Sequence, residues 1–396
     1  VALSVLAVAG AGMSTGCSSD EGEEDTSQPP DGVSCISVAR ARDGQSLVGA
    51  IQNIAGGGCV VVSGAVTTNI PIVVKEGVKV VGAKGTRPSI TVTEDVGSGM
   101  AILLSRKSEL VNVDVVASPN NGVWMSGTDA RIFDVKVTGS KKAGVVVLAS
   151  DEGAAVTLEN VVAEKNGHGV YVIGSGAKLT MKNGRIAENG GTSLSAGAGL
   201  IAAEGARVEL DGVTIEKNEG TGVLLDGAKT RAVIKASTVS ENRERGIWGQ
   251  GLEGTLDAPA LEVQDTQILK NRIVGMGGVA VKGIIIVGGS VKETVASPVP
   301  TNLAKNEMIG DGIGIFGGST DFKIERTNFA ANERAAGVVD GSEVGIIIVG
   351  GKVEPGPGLK FVVQNSKADV QIADVDRSVV DEPLGISAPK IDVPAP

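Results

Sequence analysis

Apolar and polar residues alternate along this chain in short bursts, and the bursts recur. Aligned on an asparagine, they read VTLENVVAEKN ending at Asn166, LTMKNGRIAEN at Asn189 and VELDGVTIEKN at Asn218. They continue with VIKASTVSEN at Asn242, LEVQDTQILKN at Asn271 and FKIERTNFAAN at Asn332, and a weaker copy, VPTNLAKN, ends at Asn306. Within a burst the period is two, which predicts strands. Leu158, Met181, Leu210, Ile234, Val263 and Ile324 hold one inward position, and Ala163, Ile186, Ile215, Val239, Ile268 and Phe329 another. After each asparagine come a short turn, a glycine and a further alternating strand, as in GVYV from Gly169, GVLL from Gly222 and GIWG from Gly246. Short strands at a period of about 24 residues predict a solenoid: a coil of three strands, stacked parallel about 4.8 Å apart. An asparagine at one turn of every coil can bond its own backbone and the next asparagine, so Asn166, Asn189, Asn218, Asn242, Asn271 and Asn332 form a predicted ladder.

Ahead of the repeats, DGQSLVGAIQNIAGGGCVVVSGAV and NIPIVVKEGVKVVGAKGTRPSITV read as an amphipathic helix followed by first coils. With the ladder, this entry gives the resemblance: residues 35–375 resemble right-handed parallel β-helix proteins of the pectin-lyase-like class. The resemblance implies an all-β fold, a right-handed parallel β-helix solenoid of about ten coils with an N-terminal capping helix. Such a helix covers apolar core and unpaired strand edges at the open end. The organisation expected is a signal at 1–17, an acidic disordered tether at 18–32, the β-helix at 33–375 and an extended proline-bearing tail at 376–396.

Many members of that class cleave or bind acidic polysaccharides. Its lyases set acidic calcium ligands and a basic residue on outward positions of neighbouring coils. Its hydrolases cluster aspartates near a Gly-His-Gly. The outward column Thr157, Thr180, Glu209, Val233, Glu262 and Lys323 concentrates no carboxylates, nor does Val162, Arg185, Thr214, Thr238, Gln267 and Asn328. Glycoside hydrolysis needs two carboxyls facing one bond. Gly167-His168-Gly169 matches the hydrolase fragment locally, but only Asp151-Glu152 stands upstream. His168 is thus the one weak catalytic candidate, and its simpler reading is a histidine at a coil corner. A third outward column reads Trp124, Val146, Tyr171, Ile201, Leu224, Trp248, Ala280 and Phe316. Exposed, it would be an apolar stripe suited to a polysaccharide or an envelope protein, with Trp124, Tyr171, Trp248 and Phe316 as its binding residues. Alternatively the chain's own loops cover it, with GIIIVGGSV at 283–291 and GIIIVGGKV at 345–353 as candidates, though these copies could equally be core strands.

Composition narrows the classes. Of 396 residues 42% are hydrophobic, too many for a disordered chain. A net charge of −10 without a basic cluster argues against nucleic acid. A single histidine excludes multi-histidine metal sites, and neither metal nor cofactor is expected. The apolar stretch VALSVLAVAGAGMSTG precedes Cys17, then SSDEGEEDTSQPPDG. This resembles a bacterial lipoprotein signal, which implies a lipid on Cys17 and a membrane anchor; the alternative is a plain secretory signal with an incidental cysteine. In an exported chain Cys35 and Cys59 form a disulfide or remain two buried thiols. The reading is an outer-membrane or cell-surface lipoprotein, otherwise a secreted protein, acting as a non-catalytic scaffold, adhesin or glycan-binding module. The alternative is a polysaccharide lyase or glycoside hydrolase.

Overall fold

Strands too short to stand alone here find their partners one coil away. In this computed structural model the described residues are 28–380, apart from 94–98, 117–118, 120, 150–152, 191–196, 299–307, 342–343, 355–358, 365–369 and 374–378. The expected signal with Cys17, the tether up to residue 27, the turn at Asp151-Glu152, Asn306 and the tail beyond Val380 lie outside the described residues.

Each coil contributes a strand to three faces. The first face begins with β1 (Val38–Ala41) and β2 (Cys59–Val62) and runs to Val370–Ala373. The second runs from Val66–Thr68 to the end of Val344–Val353, and the third from Ile72–Val74 to Val379–Val380. Strand pairing along all three faces is parallel; Ser297–Pro298 alone, among the described residues, pairs antiparallel, with Met308 and Ile309. Among the described residues the third face carries fourteen strands including that short one, so thirteen lie in its ladder, against about ten coils expected. The extra coils come at the start, where no asparagine marks the turn, and at the end. There Val362 pairs with Val380, which carries the solenoid past the expected boundary at 375.

The interior is built of columns that take one residue from each coil. Leu158, Met181, Leu210, Ile234, Val263, Ile286 and Ile324 lie in register and are all buried. Each such side chain contributes about 1.5–3 kcal/mol by leaving water. Of the two readings open for the copies of GIIIVGG, a cover for the stripe or core strands, the structure shows strands of the scaffold. Lys282–Val287 and Ser290–Lys292 are ladder strands, and so is Val344–Val353. Burial nevertheless alternates along them, Ile284, Ile286 and Ile348 being buried while Ile285, Val287, Ile347 and Val349 are half-buried on the outer side.

At the corner between second and third faces the asparagines stack. The backbone N–H of Asn166 donates to Asn189 Oδ1 at 3.0 Å, that of Asn189 to Asn218 Oδ1 at 3.1 Å, and that of Asn218 to Asn242 Oδ1 at 3.1 Å. Asn242 continues to Asn271. Side-chain amides run the same way, Asn218 Nδ2 donating to Asn242 Oδ1 at 2.8 Å, and also donate to backbone carbonyls, as Asn271 Nδ2 does to Val239 O. Ser140 and Thr294 extend the series, donating their N–H groups to Asn166 and Asn332. Thr294, not Asn306, therefore holds the ladder position of its coil. Immediately before the ladder, Lys165, Glu188, Lys217, Glu241, Lys270 and Glu293 all adopt positive φ between 54° and 56°, and their charges alternate in sign. Lys165 pairs with Glu188 at 3.8 Å and Lys270 with Glu293 at 3.6 Å.

Helix α1 (Gly44–Asn53) closes the first end. Asp43 caps it, its carboxylate accepting from Ser46 N–H at 2.7 Å while Ser46 Oγ accepts from Asp43 N–H. Leu47 and Ile51 point into the core. Cys35 and Cys59 are joined by a disulfide. The expected tether reaches less far than residue 32, because Gln28 O already accepts from Lys84 N–H at 2.8 Å.

Candidate functional site

The third face carries the chemistry-bearing side chains, so the site is built from its strands. Trp124, Val146, Tyr171, Ile201, Leu224 and Trp248 lie opposite one another on successive strands, all facing away from the interior. Beyond Trp248 the column continues through Gly277, Gly314 and Val338, which corrects the placement of Ala280 and Phe316 in it. Glycine recurs at close spacing in these strands, and the sequence count starts from the wrong one. A side chain does not fit at Gly277: a Cβ there would lie 1.9 Å from Gly314 O. The space over the glycines is taken by the Phe316 ring, whose centroid is 6.1 Å from that of Trp248.

The stripe is not an open surface. Trp248 is 0%, Tyr171 1% and Phe316 2% exposed, and Trp124 is half-buried. These residues belong to a second hydrophobic cluster outside the solenoid interior, with Ala198, Ile273, Val274 and Ile309. Ala198 and Ile309 end the insertions that follow Asn189 and Thr294, where the repeat interval lengthens. Chain inserted at that corner thus brings apolar residues onto the stripe. Ile273 enters the cluster through a tight turn, φ 63°, in which Val274 N–H donates to Arg272 O at 2.7 Å. A β-branched residue in that region carries about 1–3 kcal/mol of strain, which packing must offset. Among the described residues only the N-terminal end of the stripe meets solvent: Val73 is 51% exposed, and Leu103 and Trp124 follow it in register.

A column of buried polar residues runs beside the stripe, where the third-face strands begin. The link is one backbone bond repeated from coil to coil, Gly169 N–H to Ala198 O, Gly199 to Thr221, Gly222 to Arg245 and Gly246 to Val274. Val274 then pairs with Asp311 and Asp311 with Ala335. His168, Thr221, Arg245 and Asp311 therefore lie on one line. His168 Nδ1 accepts from Ala198 N–H at 3.1 Å, and burial pushes its pKa below the ordinary value. The neutral imidazole thereby ties down the first insertion. Asp311 is 0% exposed and accepts from Arg334 through Nε at 2.7 Å and through Nη2. Burial nevertheless pushes its pKa up to about 6 against the pull of Arg334. Arg245 is 3% exposed, its guanidinium lies 4.7 Å over the Trp248 ring, and Glu244 stands 3.6 Å away. Among the described residues neither Arg245 Nε nor Trp248 Nε1 finds a hydrogen-bond partner.

Placed on one line, these groups are still far apart. His168 and Arg245 are separated by three coil steps, about 14 Å, and Arg245 and Asp311 by two, about 10 Å. An acid and a base that serve one bond must both reach it. Among the described residues no three His, Cys, Asp or Glu side chains gather in a metal-holding group. The charged residues of the second face form a different array. Lys136, Glu164, Arg185 and Glu216 link four coils, with Lys136 2.7 Å from Glu164 and Arg185 2.8 Å from Glu216. Burial opposes ionisation of Glu164, yet Lys136 and Arg185 outweigh it and lower its pKa. This array staples coils together.

The family model for the right handed beta helix region matches residues 121–297. No curated protein matches the sequence. Among solved structures, the chain is similar to a double mutant of the periplasmic alginate epimerase AlgG, at 11% identity and a TM-score of 0.52, over 86% of this chain and 84% of that one. It is also similar to the Dettilon tailspike protein, at 14% identity and a TM-score of 0.52, over 82% and 68% of the two chains. At such identities the likeness is one of fold.

Proposed function

The chain is a right-handed parallel β-helix, and on that premise we propose that it is an exported, non-catalytic scaffold or adhesin of a bacterial envelope, held to the membrane through a lipid on Cys17. The observation that carries this reading is the covered third face. Side chains that would have lined an open trough are packed inside a second core, and the titratable groups beside them stand in separate coils. Export is supported by the Cys35–Cys59 disulfide, a bond that persists in oxidising compartments. No helix among the described residues is long and apolar enough to cross a membrane. Contact with a polysaccharide or an envelope protein then falls to the open end of the stripe, at Val73, Leu103 and Trp124. Two acyl chains hold a protein to a bilayer where one barely does. Cys17→Ser is accordingly expected to move the protein to the soluble fraction, and unchanged membrane partition would remove the anchor from this account.

The experiment that decides between scaffold and enzyme incubates the purified chain with uronate and neutral polysaccharides. It scores released ends and changed sugar configuration. The expected result is no turnover, with any retention on a polysaccharide column lost in Trp124→Ala. Turnover abolished by His168→Ala would overturn the proposal and make Gly167-His168-Gly169 a catalytic element.

A further inference from the structure

Outward-facing residues of the first face change character along the rod. One column runs Val61, Val81, Val111 and Phe133, and only then Glu159, Lys182, Asp211 and Lys235. The first three are buried although they face away from the solenoid interior. With Cys59 and Ala83 they form a small cluster of their own, and Val33 and Cys35 pack against it. The chain that lies there is the segment 28–36, ahead of β1. Phe133, the next member of the column, is 42% exposed.

The ties of this segment are few. Lys84 N–H donates to Gln28 O at 2.8 Å, and Ile36 N–H to Gly57 O at 2.9 Å. Asp31 pairs with Lys84 at 2.8 Å, with both side chains in solvent. Ordering nine residues opposes folding at every one of them. Two amide bonds and one exposed ion pair are small against that cost. What remains is the packing of Val33 on the strip together with the disulfide, which keeps the segment at high effective concentration over it. Cys59 is fully buried and Cys35 half-buried, so a reductant reaches the bond from the Cys35 side.

We propose that residues 28–36 are a redox-sensitive strap. With the disulfide closed, the strap covers Val61, Val81 and Val111. With it open, the strap leaves, and the strip joins Phe133 in one exposed apolar patch on the first coils. The opening step is thiol–disulfide exchange with a dithiol. One thiolate attacks Cys35 Sγ and Cys59 departs as a thiolate that takes up a proton. The second thiol of the reductant then displaces Cys35, leaving two protein thiols and one oxidised dithiol. The inference stands on the strap and its disulfide alone and does not need the scaffold reading.

Hydrogen exchange on the full chain, with and without dithiothreitol, tests it alongside an apolar-binding dye. Reduction is expected to speed exchange at Ile36 and Lys84 N–H on the order of tenfold or more and to raise dye fluorescence. The amides of α1 and of the asparagine ladder should stay protected. Cys35→Ser should behave as the reduced protein without reductant, whereas Lys84→Ala, which removes only the ion pair, should not. Unchanged exchange at Ile36 on reduction would show that non-covalent contacts hold the strap and would overturn the proposal. Loss of protection in α1 at the same time would overturn it too, because the disulfide would then be holding the cap.

Discussion

The outer sides of the first and third faces start from the same strand pattern and end differently. On the first face, past the strap, outward positions are Glu159, Lys182, Asp211 and Lys235, which alternate in charge and lie against water. On the third they are Val146, Tyr171, Ile201, Leu224 and Trp248, all buried. The difference is not in the strands, which pair alike. It lies in the corners that feed them: from Glu109 onward first and second faces meet through two residues or none, while the corner leading to the third face accepts insertions. In these coils the third face is therefore where a second core is built without disturbing the first.

The largest expected effect separates the two surfaces directly. Trp248→Ala should destabilise by about 3–5 kcal/mol, since it empties a packed site. Phe133→Ala on the first face should cost about 1 kcal/mol or less, as a half-exposed ring loses little on truncation. Denaturant midpoints for the two variants check this, and equal losses would mean that the third-face cover is not a packed core.

A smaller contrast compares the corners. Asn218→Gly removes an amide whose oxygen accepts from Asn189 N–H and Nδ2 and whose nitrogen donates to Asn242, and should cost about 1–3 kcal/mol. Asn183, at the corner between first and second faces, is exposed with φ 50°. Glycine suits that conformation, so Asn183→Gly should be near neutral. If both cost the same, the ladder is not what fixes the third-face corner.

The smallest effect is a pH dependence. Burial holds the folded pKa of His168 below its ordinary 6.5, so the unfolded chain binds the proton more readily. Stability is then present above that value and is lost as pH falls below it. Asp311 acts in the opposite sense: its folded pKa of about 6 lies above the ordinary 3.8, so stability declines as pH rises between them. Comparing wild type with His168→Asn, whose Oδ1 can take the place of Nδ1, cancels the Asp311 contribution. The variant should lose less stability between pH 7 and 5, and identical pH profiles would remove His168 from the corner's support.

The register of the rod is legible in its sequence because large aliphatics recur on a strict period of two around a fixed asparagine. Leu158, Met181 and Leu210 can be placed opposite each other by counting alone. Counting fails at Gly277 and Gly314, where neighbouring glycines offer several equivalent starting points, and at Thr294, where a hydroxyl residue keeps the backbone bond without the amide. The cover over Tyr171 and Trp248 is not legible, since inserted residues carry no period and nothing in a repeat says where an insertion will fold. The strap had a signal of its own. CVVV, KVVG and ELV are apolar at consecutive rather than alternate positions, as strands buried on both sides must be.

The alternating signs of Lys165, Glu188, Lys217, Glu241, Lys270 and Glu293 bear on how such a rod changes length over generations. Losing the coil of Lys217 would set Glu188 beside Glu241, and duplicating it would set lysine beside lysine. Losing the coils of Lys217 and Glu241 together would bring Glu188 to Lys270 and leave the pattern whole. A step of one coil thus places like charges side by side and a step of two does not, a difference of about 0–1 kcal/mol for exposed pairs of this kind.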